Sequence, residues 1–551
     1  MSFRLSREQR CDVALLLSAL AALLIANVLF LAWERYSFIG DEAAHLVYGV
    51  QAYHDIGRLF EMTEWPPLPY LPGVVLFHLF GPSRSTAVMS NLVWVWITIL
   101  SVYWIGRRLF DRRVGLVAVL VTLGFPITLG LSRMYLAENA WAALTTASVA
   151  LLLTTERFER RGASLAFGAC CGLGLLTKLA FPVFLAPPLL VHLARPLAAR
   201  SFGKRQFVNL GLAALAALAI ALLWYTPESF HVRSTSLYST EENPLFFTVE
   251  GYWRGLLLYV YSMVDFSMSY LGYGVLAVVA YLAASRRRSA LLELVAWFVV
   301  PLLLFSIFPK RAARYLYPGF PAAALMVAYW ICAVIRGRRT RRLLVGGLLV
   351  WALVVFGILT VPVSGRGGHH RLLVETRMHA ALARRVGLSF LNYREDFWIR
   401  PPRSETFGFD RIVAIMDSYN KKAGPPVRGC IQLLNISRAA SGGTGVIHPF
   451  SWPLHTHLAI SRRRYLHDAL LFWQGALYRW RPGGDHRGEA KRLVRPTFIT
   501  AHRFEARSEL ERRLGLVCLG SVSSDITPRH RDAVNVYLFD PATRAHRPCA
   551  R

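Results

Sequence analysis

Long apolar segments separated by short polar connections dominate this sequence. A helix that crosses the roughly 30 Å hydrocarbon core of a bilayer needs about 20 predominantly apolar residues, and eleven segments approach that length. The pattern therefore predicts a polytopic α-helical membrane protein. We expect the first segment to stay as an anchor, because no small-residue cleavage site follows it. The segments begin near residues 12, 87, 114, 139, 163, 179, 207, 267, 291, 316 and 343.

Arginine-rich clusters occupy every second connection between these segments. By the positive-inside rule such connections are cytoplasmic, so we predict a multi-pass protein of the cytoplasmic (inner) membrane, surrounded by its lipids, with the N-terminus inside. Eleven crossings then place the C-terminal region outside. The basic clusters lie at 4–10, 107–113, 156–161, 195–205, 286–288 and 336–342. The connections predicted to lie outside are 33–86, 132–138, 177–178, 225–254 and 309–315.

The composition agrees with a membrane protein. Hydrophobic residues make up 54% of the 551 residues and charged residues only 17%, whereas soluble chains carry roughly 25% charged residues. The net charge of +30 would suggest nucleic acid in a soluble protein. Here topology explains the basic clusters, so we predict no nucleic-acid partner.

A Gly-rich polar stretch after the last apolar segment predicts a domain boundary. We predict a transmembrane domain at 1–362, a linker at 363–370 and an extracytoplasmic α/β domain at 371–551. Periodicity predicts one helix in that domain, at 504–515. Short apolar runs predict strands at 411–417, 429–435, 497–501, 516–522 and 533–539.

The long outer loop 33–86 holds the sharpest candidate chemistry, since loops of that length are usually functional. Asp41 and Glu42 precede apolar residues at helical spacing, which predict a helix lying along the membrane surface. Two interpretations stay open. The carboxylates can be an N-cap and a first-turn acid, or one can be a base that deprotonates a hydroxyl.

A proline-rich segment, Glu64-Trp65-Pro66-Pro67-Leu68-Pro69-Tyr70-Leu71-Pro72-Gly73, follows in the same loop. Proline at this density predicts an extended, rigid segment that is not helical. It is either a stiff connector, with Trp65 and Tyr70 in the interfacial aromatic belt, or a wall that holds Glu64 opposite Asp41.

Cations on the predicted outer side run against the topology rule. Lys310, Arg311 and Arg314 share one short turn, where helical spacing would aim them together at an anion. Lys178 lies in a tight turn between two apolar segments. Snorkelling toward lipid head groups is the alternative for all of them. Weaker outer candidates are Arg133 with Glu138, and His231 with Arg233.

Metal and nucleotide motifs are absent from the sequence. The histidines at 369, 370, 448, 455 and 457 have no further ligands at an accepted spacing. Cys430, Cys518 and Cys549 cannot all pair within one chain, and their spacing predicts neither a disulfide framework nor a metal site. Without a Walker loop, GxSxG or HExxH motif, neither a nucleotide-driven nor a hydrolase mechanism is predicted.

Five features occur in one order: the carboxylate pair, E-x-P-P-L-x-Y, S-R-x-x-x-x-E, G-L-L-T-K and R-Y-L-Y-P-x-F-P-A. Together they resemble the GT-C superfamily of polyprenyl-phosphate-dependent glycosyltransferases. More narrowly, they resemble the protein O-mannosyltransferase and lipid A aminoarabinose transferase group, glycosyltransferase families 39 and 83. The resemblance covers roughly residues 12–335.

The resemblance implies inverting transfer of a sugar from a polyprenyl-phosphate donor to a lipid, glycan or protein acceptor outside the membrane. Asp41 matches the family's base or acceptor-positioning residue, and Glu42 its acidic neighbour. Glu64 matches a residue that some members use at a divalent metal, so a metal there is a candidate and no cofactor is certain. Trp65 replaces a lysine that helps hold the donor phosphate. The substitutes for that lysine are Lys178, Arg233, Lys310, Arg311 and Arg314.

Three further positions are expected to contact the acceptor or support the residues that do. Glu138 stands where relatives usually carry aspartate, a change that preserves the charge and lengthens the reach. Arg133 lies in the same S-R-x-x-x-x-E motif, and Tyr315 lies in the R-Y-L-Y-P-x-F-P-A motif.

Two other classes of function remain open on the sequence. A lipid-linked sugar flippase or transporter would also be polytopic, but it would place ionisable groups near the membrane midplane, where this chain has mainly Asp265. A non-catalytic scaffold would use its basic C-terminal region to bind anionic lipid or a partner. The retained Asp41, Glu42 and Glu64 favour an enzyme.

Overall fold

The computed structural model places the chain in two compact units. Residues Met1–Trp33 and Gln51–Pro402 form the first, here the membrane unit, and residues Glu34–Val50 and Arg403–Arg551 form the second, here the C-terminal unit. The structure describes residues 6–34, 41–61, 65–225, 249–284, 291–307, 312–361, 409–422, 427, 429–435, 466–473, 476–479, 497–502, 516–527 and 530–540. The predicted linker 363–370 and helix 504–515 lie outside these residues, so the predicted domain boundary stays a prediction.

Helices make up nearly all of the described membrane unit, because a helix satisfies its own backbone hydrogen bonds where lipid supplies none. Short 3₁₀ turns at Leu68–Tyr70 and Ala313–Gly319 and π turns at Met263–Ser267 and Trp330–Val334 interrupt them. Up to Thr360, the helices of the chain in sequence order are α1 (Arg7–Trp33), α2 (Asp41–His54, of which the residues up to Val50 belong to the C-terminal unit), α3 (Arg58–Glu61), α4 (Leu71–Phe80), α5 (Arg84–Leu109), α6 (Arg112–Gly124), α7 (Pro126–Ser132), α8 (Glu138–Thr154), α9 (Arg161–Leu175), α10 (Phe181–Ala198), α11 (Lys204–Ala221), α12 (Val249–Ser262), α13 (Tyr270–Ala284), α14 (Leu291–Ile307), α15 (Phe320–Tyr329) and α16 (Arg338–Thr360).

Each of the eleven predicted apolar segments coincides with a helix. Among the described residues, six helices are long and apolar enough to cross a membrane, or seven if α6 and α7, bent by 67°, count as one span. Pro126 begins α7 at that bend, as proline does where a helix is broken. The protein is therefore a polytopic membrane protein. The six are Arg7–Trp33, Arg84–Leu109, Phe181–Ala198, Lys204–Ala221, Ala313–Val334 and Arg338–Thr360.

Small residues allow the central helices to pack closely. Helix α5 packs against both α6 and α8. Where α5 meets α6, a Cβ on Gly106 would lie 2.6 Å from the Cα of Gly115. Membrane helices associate through such backbone approach, since lipid tails compete equally for apolar side chains.

Polar contacts join several of the basic connections at one end of the membrane unit. The carboxylate of Asp12 on α1 accepts a 2.6 Å hydrogen bond from Tyr103 on α5 and pairs with Arg112 on α6. Arg108 pairs with Glu156 at 3.3 Å, which joins the connections that follow α5 and α8. The predicted alternation therefore places these connections correctly at a common end.

The C-terminal unit contains a six-stranded mixed sheet. Its strands are β1 (Gly429–Asn435), β2 (Leu466–Trp473), β3 (Ala476–Arg479), β4 (Thr497–His502), β5 (Leu516–Thr527) and β6 (His530–Phe539), in the order β3-β2-β1-β4-β6-β5. Strand β1 pairs in parallel with β2 and β4, and the other pairs are antiparallel. The predictions of β1, β4, β5 and β6 are confirmed, whereas β2 and β3 were not predicted.

The predicted strand at 411–417 is wrong, because these residues belong to helix α17 (Phe409–Lys422). Ile412, Val413 and Met416 are fully buried, and their spacing is that of one helix face. They pack against a core that includes Phe498 and Val536 of the sheet. The seven-residue run that suggested a strand was too short to show this period.

Cys518 on β5 is disulfide-bonded. The spacing of the cysteines defined no disulfide framework and left the status of Cys518 open. Disulfide pairing depends on the distance between two residues in the fold, which sequence spacing does not give.

Candidate functional site

Two cations converge on one buried carboxylate in the membrane unit. Glu138 begins α8, and its side chain is only 3% exposed. Its Oε1 accepts a 2.9 Å hydrogen bond from Lys178 Nζ and a 3.1 Å hydrogen bond from Arg314 Nε. Lys178 follows α9 and Arg314 lies in the 3₁₀ turn before α15. Three elements far apart in sequence therefore form one charged cluster, here the Glu138 cluster.

Aromatic rings surround the lysine of this cluster. Lys178 Nζ lies 4.9 Å from the ring centroid of Trp141 and 4.6 Å from that of Tyr315. Both rings attract a cation through their negative faces. Arg314 also lies over Tyr315, at 5.5 Å. Lys178 and Arg314 side chains remain 18% exposed, so an anion can reach them.

Described residues from each of the five predicted outer connections lie at or beside the elements that carry this cluster. The loop 33–86 reaches it through Leu68, whose N–H donates to Leu176 O at 3.2 Å. Tyr225, at the start of 225–254, donates through its hydroxyl to Leu175 O at 3.0 Å. Glu138, Lys178 and Arg314 themselves belong to the other three connections, 132–138, 177–178 and 309–315. These described residues thus share the end of the membrane unit opposite to Asp12 and Glu156.

The predicted extended conformation of the proline-rich segment is wrong beyond Leu68. Residues Leu68–Tyr70 form a 3₁₀ turn, and α4 follows directly from Leu71. Pro69 and Pro72 fall in the first turns of these elements, where the missing N–H costs no hydrogen bond and the fixed φ suits a helix. The density of prolines was therefore not enough to predict the backbone conformation of this segment.

Tyr135 connects this segment to the loop that carries Glu138. Its ring lies 6.1 Å from that of Tyr70 and 6.4 Å from that of Phe77. Burial raises the pKa of the Tyr135 hydroxyl above its usual range, because a phenolate would lose its hydration. A neutral Tyr135 thus holds the 132–138 connection against α4.

We expect Gly73→Ala to disturb this contact. A Cβ at position 73 would lie 2.2 Å from the Tyr135 hydroxyl oxygen, so the ring must move. Overpacking of this kind costs roughly 1–3 kcal/mol, measurable as a lower thermal midpoint in detergent. Gly346→Ala, where a Cβ would meet nothing within 4 Å, is the control. Equal midpoints for the two variants would contradict the predicted contact.

The predicted helix after the carboxylate pair is confirmed. Helix α2 begins at Asp41, and Leu46, Val47 and Val50 are buried as the helical spacing predicted. Glu42 is buried as well, with 3% of its surface exposed. The side chain of Asp41 lies outside the described part of the structure. Residues up to Val50 group with the C-terminal unit.

The Arg133 side chain packs between helices. Its guanidinium donates to Ala26 O at 3.2 Å, to Thr360 Oγ1 at 2.8 Å and to the carbonyl of Leu359. It also lies 4.3 Å over the ring of Phe30. Arg133 thus joins α7 to α1 and α16, which indicates a structural role. Its predicted role toward the acceptor stays a prediction.

The other predicted site residues, Glu64, Arg233, Lys310 and Arg311, lie outside the described residues, as do all five histidines considered for a metal. Within the described residues, no three His, Cys, Asp or Glu side chains come together to hold a metal ion. A divalent metal at Glu64 therefore stays a prediction, and no chemical step is assigned to it.

Sequence reasoning missed Trp141 and Tyr135. Trp141 lies three residues after Glu138 on α8, where helical spacing places both side chains on one face. An aromatic residue one turn from a buried acid was the available signal. Tyr135 had no comparable signal, because its partners belong to a loop 60 residues earlier in the chain.

Among the described residues, the Glu138 cluster joins two cations to one carboxylate. Such a partly exposed cationic site at the end of a membrane-embedded unit suits an anionic head group. Hydrogen bonds from charged donors to an anionic oxygen are roughly twice as strong as neutral ones. The arrangement can therefore bind an anion and stabilise negative charge that develops on it.

Comparison with known proteins agrees with this chemistry. Residues 65–224 match the family model described as dolichyl-phosphate-mannose-protein mannosyltransferase. The undecaprenyl phosphate-alpha-4-amino-4-deoxy-L-arabinose arabinosyl transferase of Photorhabdus laumondii is 23% identical over 56% of this chain and 59% of its own length. That of Aeromonas hydrophila is 26% identical over 54% of this chain and 55% of its own length. The chain thus spans just over half the length of these relatives.

Similarity in the fold covers nearly the whole chain. The crystal structure of ArnT from Cupriavidus metallidurans bound to undecaprenyl phosphate superposes with a TM-score of 0.57, covering 97% of this chain and 99% of that one at 16% identity. This likeness shows a shared fold. The chain therefore has the GT-C fold and resembles in sequence the polyprenyl-phosphate-dependent glycosyltransferases of that superfamily.

Proposed function

We propose that this protein is an inverting glycosyltransferase that moves a sugar from a polyprenyl-phosphate donor to a lipid, glycan or protein acceptor. The observation that carries the proposal is the convergence of Lys178 and Arg314 at the end of the membrane unit. The relatives are named for undecaprenyl phosphate-linked aminoarabinose, which supports a donor of that class. The likeness gives no support to a flippase or a scaffold.

In the proposed reaction a carboxylate, assigned to Asp41 with Glu42 beside it, accepts the proton of the acceptor hydroxyl. The freed oxygen attacks the anomeric carbon and forms the new glycosidic bond. The bond from that carbon to the phosphate oxygen breaks on the opposite face, so the configuration inverts. The electron pair stays on the phosphate, where Lys178 and Arg314 stabilise the added charge. Arg233, Lys310 and Arg311 are further candidates for this phosphate site.

The proposed topology has eleven crossings, the N-terminus inside and an extracytoplasmic α/β domain at 371–551. The grouping of the five predicted outer connections supports one extracytoplasmic face. The disulfide of Cys518 supports an outer location for the C-terminal unit, since disulfides persist in oxidising compartments. The α17 helix on the mixed sheet supports an α/β domain. We assign acceptor recognition to this domain.

Lipid that co-purifies with the protein in mild detergent tests the donor site. We expect mass spectrometry to find a polyprenyl phosphate or its monoglycosyl form with the unmodified protein. Lys178→Met keeps the side-chain length and removes the charge. It should lower the recovered lipid by roughly tenfold or more, because hydrogen bonds to charged groups contribute about 1.5–3 kcal/mol.

Lys204→Met is the matched control, since Lys204 is exposed at the start of α11 and should leave the lipid in place. Equal recovery from the unmodified protein and Lys178→Met would contradict the proposed phosphate site. Recovery of ordinary phospholipid alone from all three would contradict the donor class.

A further inference from the structure

Phosphate binding alone does not require the carboxylate at the centre of the Glu138 cluster. Glu138 Oε1 receives both a lysine and an arginine donor, so it competes with any anion for the same cations. It is also almost fully buried, and burying a charge is costly unless it is paired. A site that only had to bind phosphate tightly would contain Lys178 and Arg314 without Glu138.

The proposed reaction changes the charge of the lipid that occupies the site. The donor is a phosphodiester with one negative charge. The leaving group is a polyprenyl phosphomonoester, which carries about −1.5 to −2 at pH 7 because its second pKa is near 6. A carboxylate beside the two cations therefore weakens binding of the monoester product more than binding of the diester substrate.

We propose that Glu138 lowers the positive charge of this site and so limits its preference for the phosphomonoester product over the phosphodiester donor. The proposal rests on the proposed function. Glu138 acts through Lys178 and Arg314 and is a positioning and charge-setting residue. Its carboxylate repels a doubly charged occupant about twice as strongly as a singly charged one, because Coulomb energy scales with the product of the charges. Product release is thereby favoured.

The length of the side chain supports this role. The resemblance places aspartate at this position in related enzymes, whereas this chain has glutamate. The extra methylene lets one oxygen approach both Lys178 and Arg314, at 2.9 and 3.1 Å. One oxygen of Glu138 can thus accept hydrogen bonds from both Lys178 and Arg314. When the lipid phosphate binds, both donors can bond to the phosphate instead.

Glu138→Gln separates charge from geometry, because the amide oxygen can still accept both hydrogen bonds. The measurement is the dissociation constant of full-length protein in detergent for undecaprenyl phosphate, the monoester, and for its methyl diester. We expect the variant to bind the diester roughly 10-fold more tightly and the monoester roughly 100-fold more tightly, the square of the first change. Undecaprenyl phosphate should become a correspondingly stronger product inhibitor. Glu159→Gln is the control, since Glu159 is exposed.

Equal changes for the two esters, or weaker binding of both, would overturn the inference and leave Glu138 as a structural partner of the cations. The unmodified protein provides a second test that needs no variant. Its affinities for the two esters at pH 8 should differ by less than about tenfold, despite the double charge of the monoester. A strong monoester preference would also overturn the inference. Binding of neither ester would instead contradict the proposed function.

Discussion

Replacing Asp41 by asparagine is expected to lower sugar transfer by roughly 100- to 10,000-fold, the usual contribution of a general base. Asp41 begins α2, and asparagine suits a helix start as well as aspartate does. The substitution therefore keeps the size of the side chain and removes its charge and basicity. A transfer assay with a polyprenyl-phosphate sugar, run beside a binding assay for the donor, measures the effect. Donor binding should change little.

Asp55→Asn is the matched control, because Asp55 is exposed just beyond the other end of the same helix. It should retain transfer. If Asp41→Asn keeps full activity, Asp41 is not the base, and the flippase and scaffold alternatives regain support. If donor binding falls as far as transfer, Asp41 acts on the donor instead of the acceptor hydroxyl.

Replacing Arg133 by methionine is expected to destabilise the membrane unit by about 3 kcal/mol or more. Arg133 is 2% exposed, and its guanidinium donates hydrogen bonds to Ala26 O, Leu359 O and Thr360 Oγ1. Methionine fills a similar volume but leaves these buried acceptors without their donor. The expected result is a fall of several degrees in the thermal midpoint in detergent.

Arg339→Met, an exposed arginine on α16, provides the control for a loss of charge. An unchanged midpoint for Arg133→Met would contradict the structural role. If the midpoint is unchanged and the KM for the acceptor rises, Arg133 contacts the acceptor as the sequence resemblance implied.

In the candidate site, the sequence indicated which charged residues matter but not which residues they contact. Lys178, Arg314 and Glu138 each stood out as charged residues on a predicted outer connection. Their meeting at one oxygen depends on how α8, the turn after α9 and the turn before α15 approach in space. The tertiary fold also decided that Arg133 lies against α1 and α16, although it is only five residues from Glu138.

The local structure of two segments shows the limit of residue patterns. Proline at 69 and 72 predicted an extended chain, yet both occupy helical first turns. The apolar run at 411–417 predicted a strand, yet it is one face of α17. In both cases the short pattern fits two backbone conformations, and contacts with the rest of the fold select one of them.

The sequence by itself determined the membrane class, the positions of the apolar helices, the alternation of basic connections and four strands of the C-terminal sheet. These follow from local rules, because hydrophobic length, charge and period act within one segment. Only the tertiary structure decided that Glu138 lies between two cations and that Cys518 forms a disulfide. Those features depend on distances between residues far apart in the chain, which are set by packing of the whole unit.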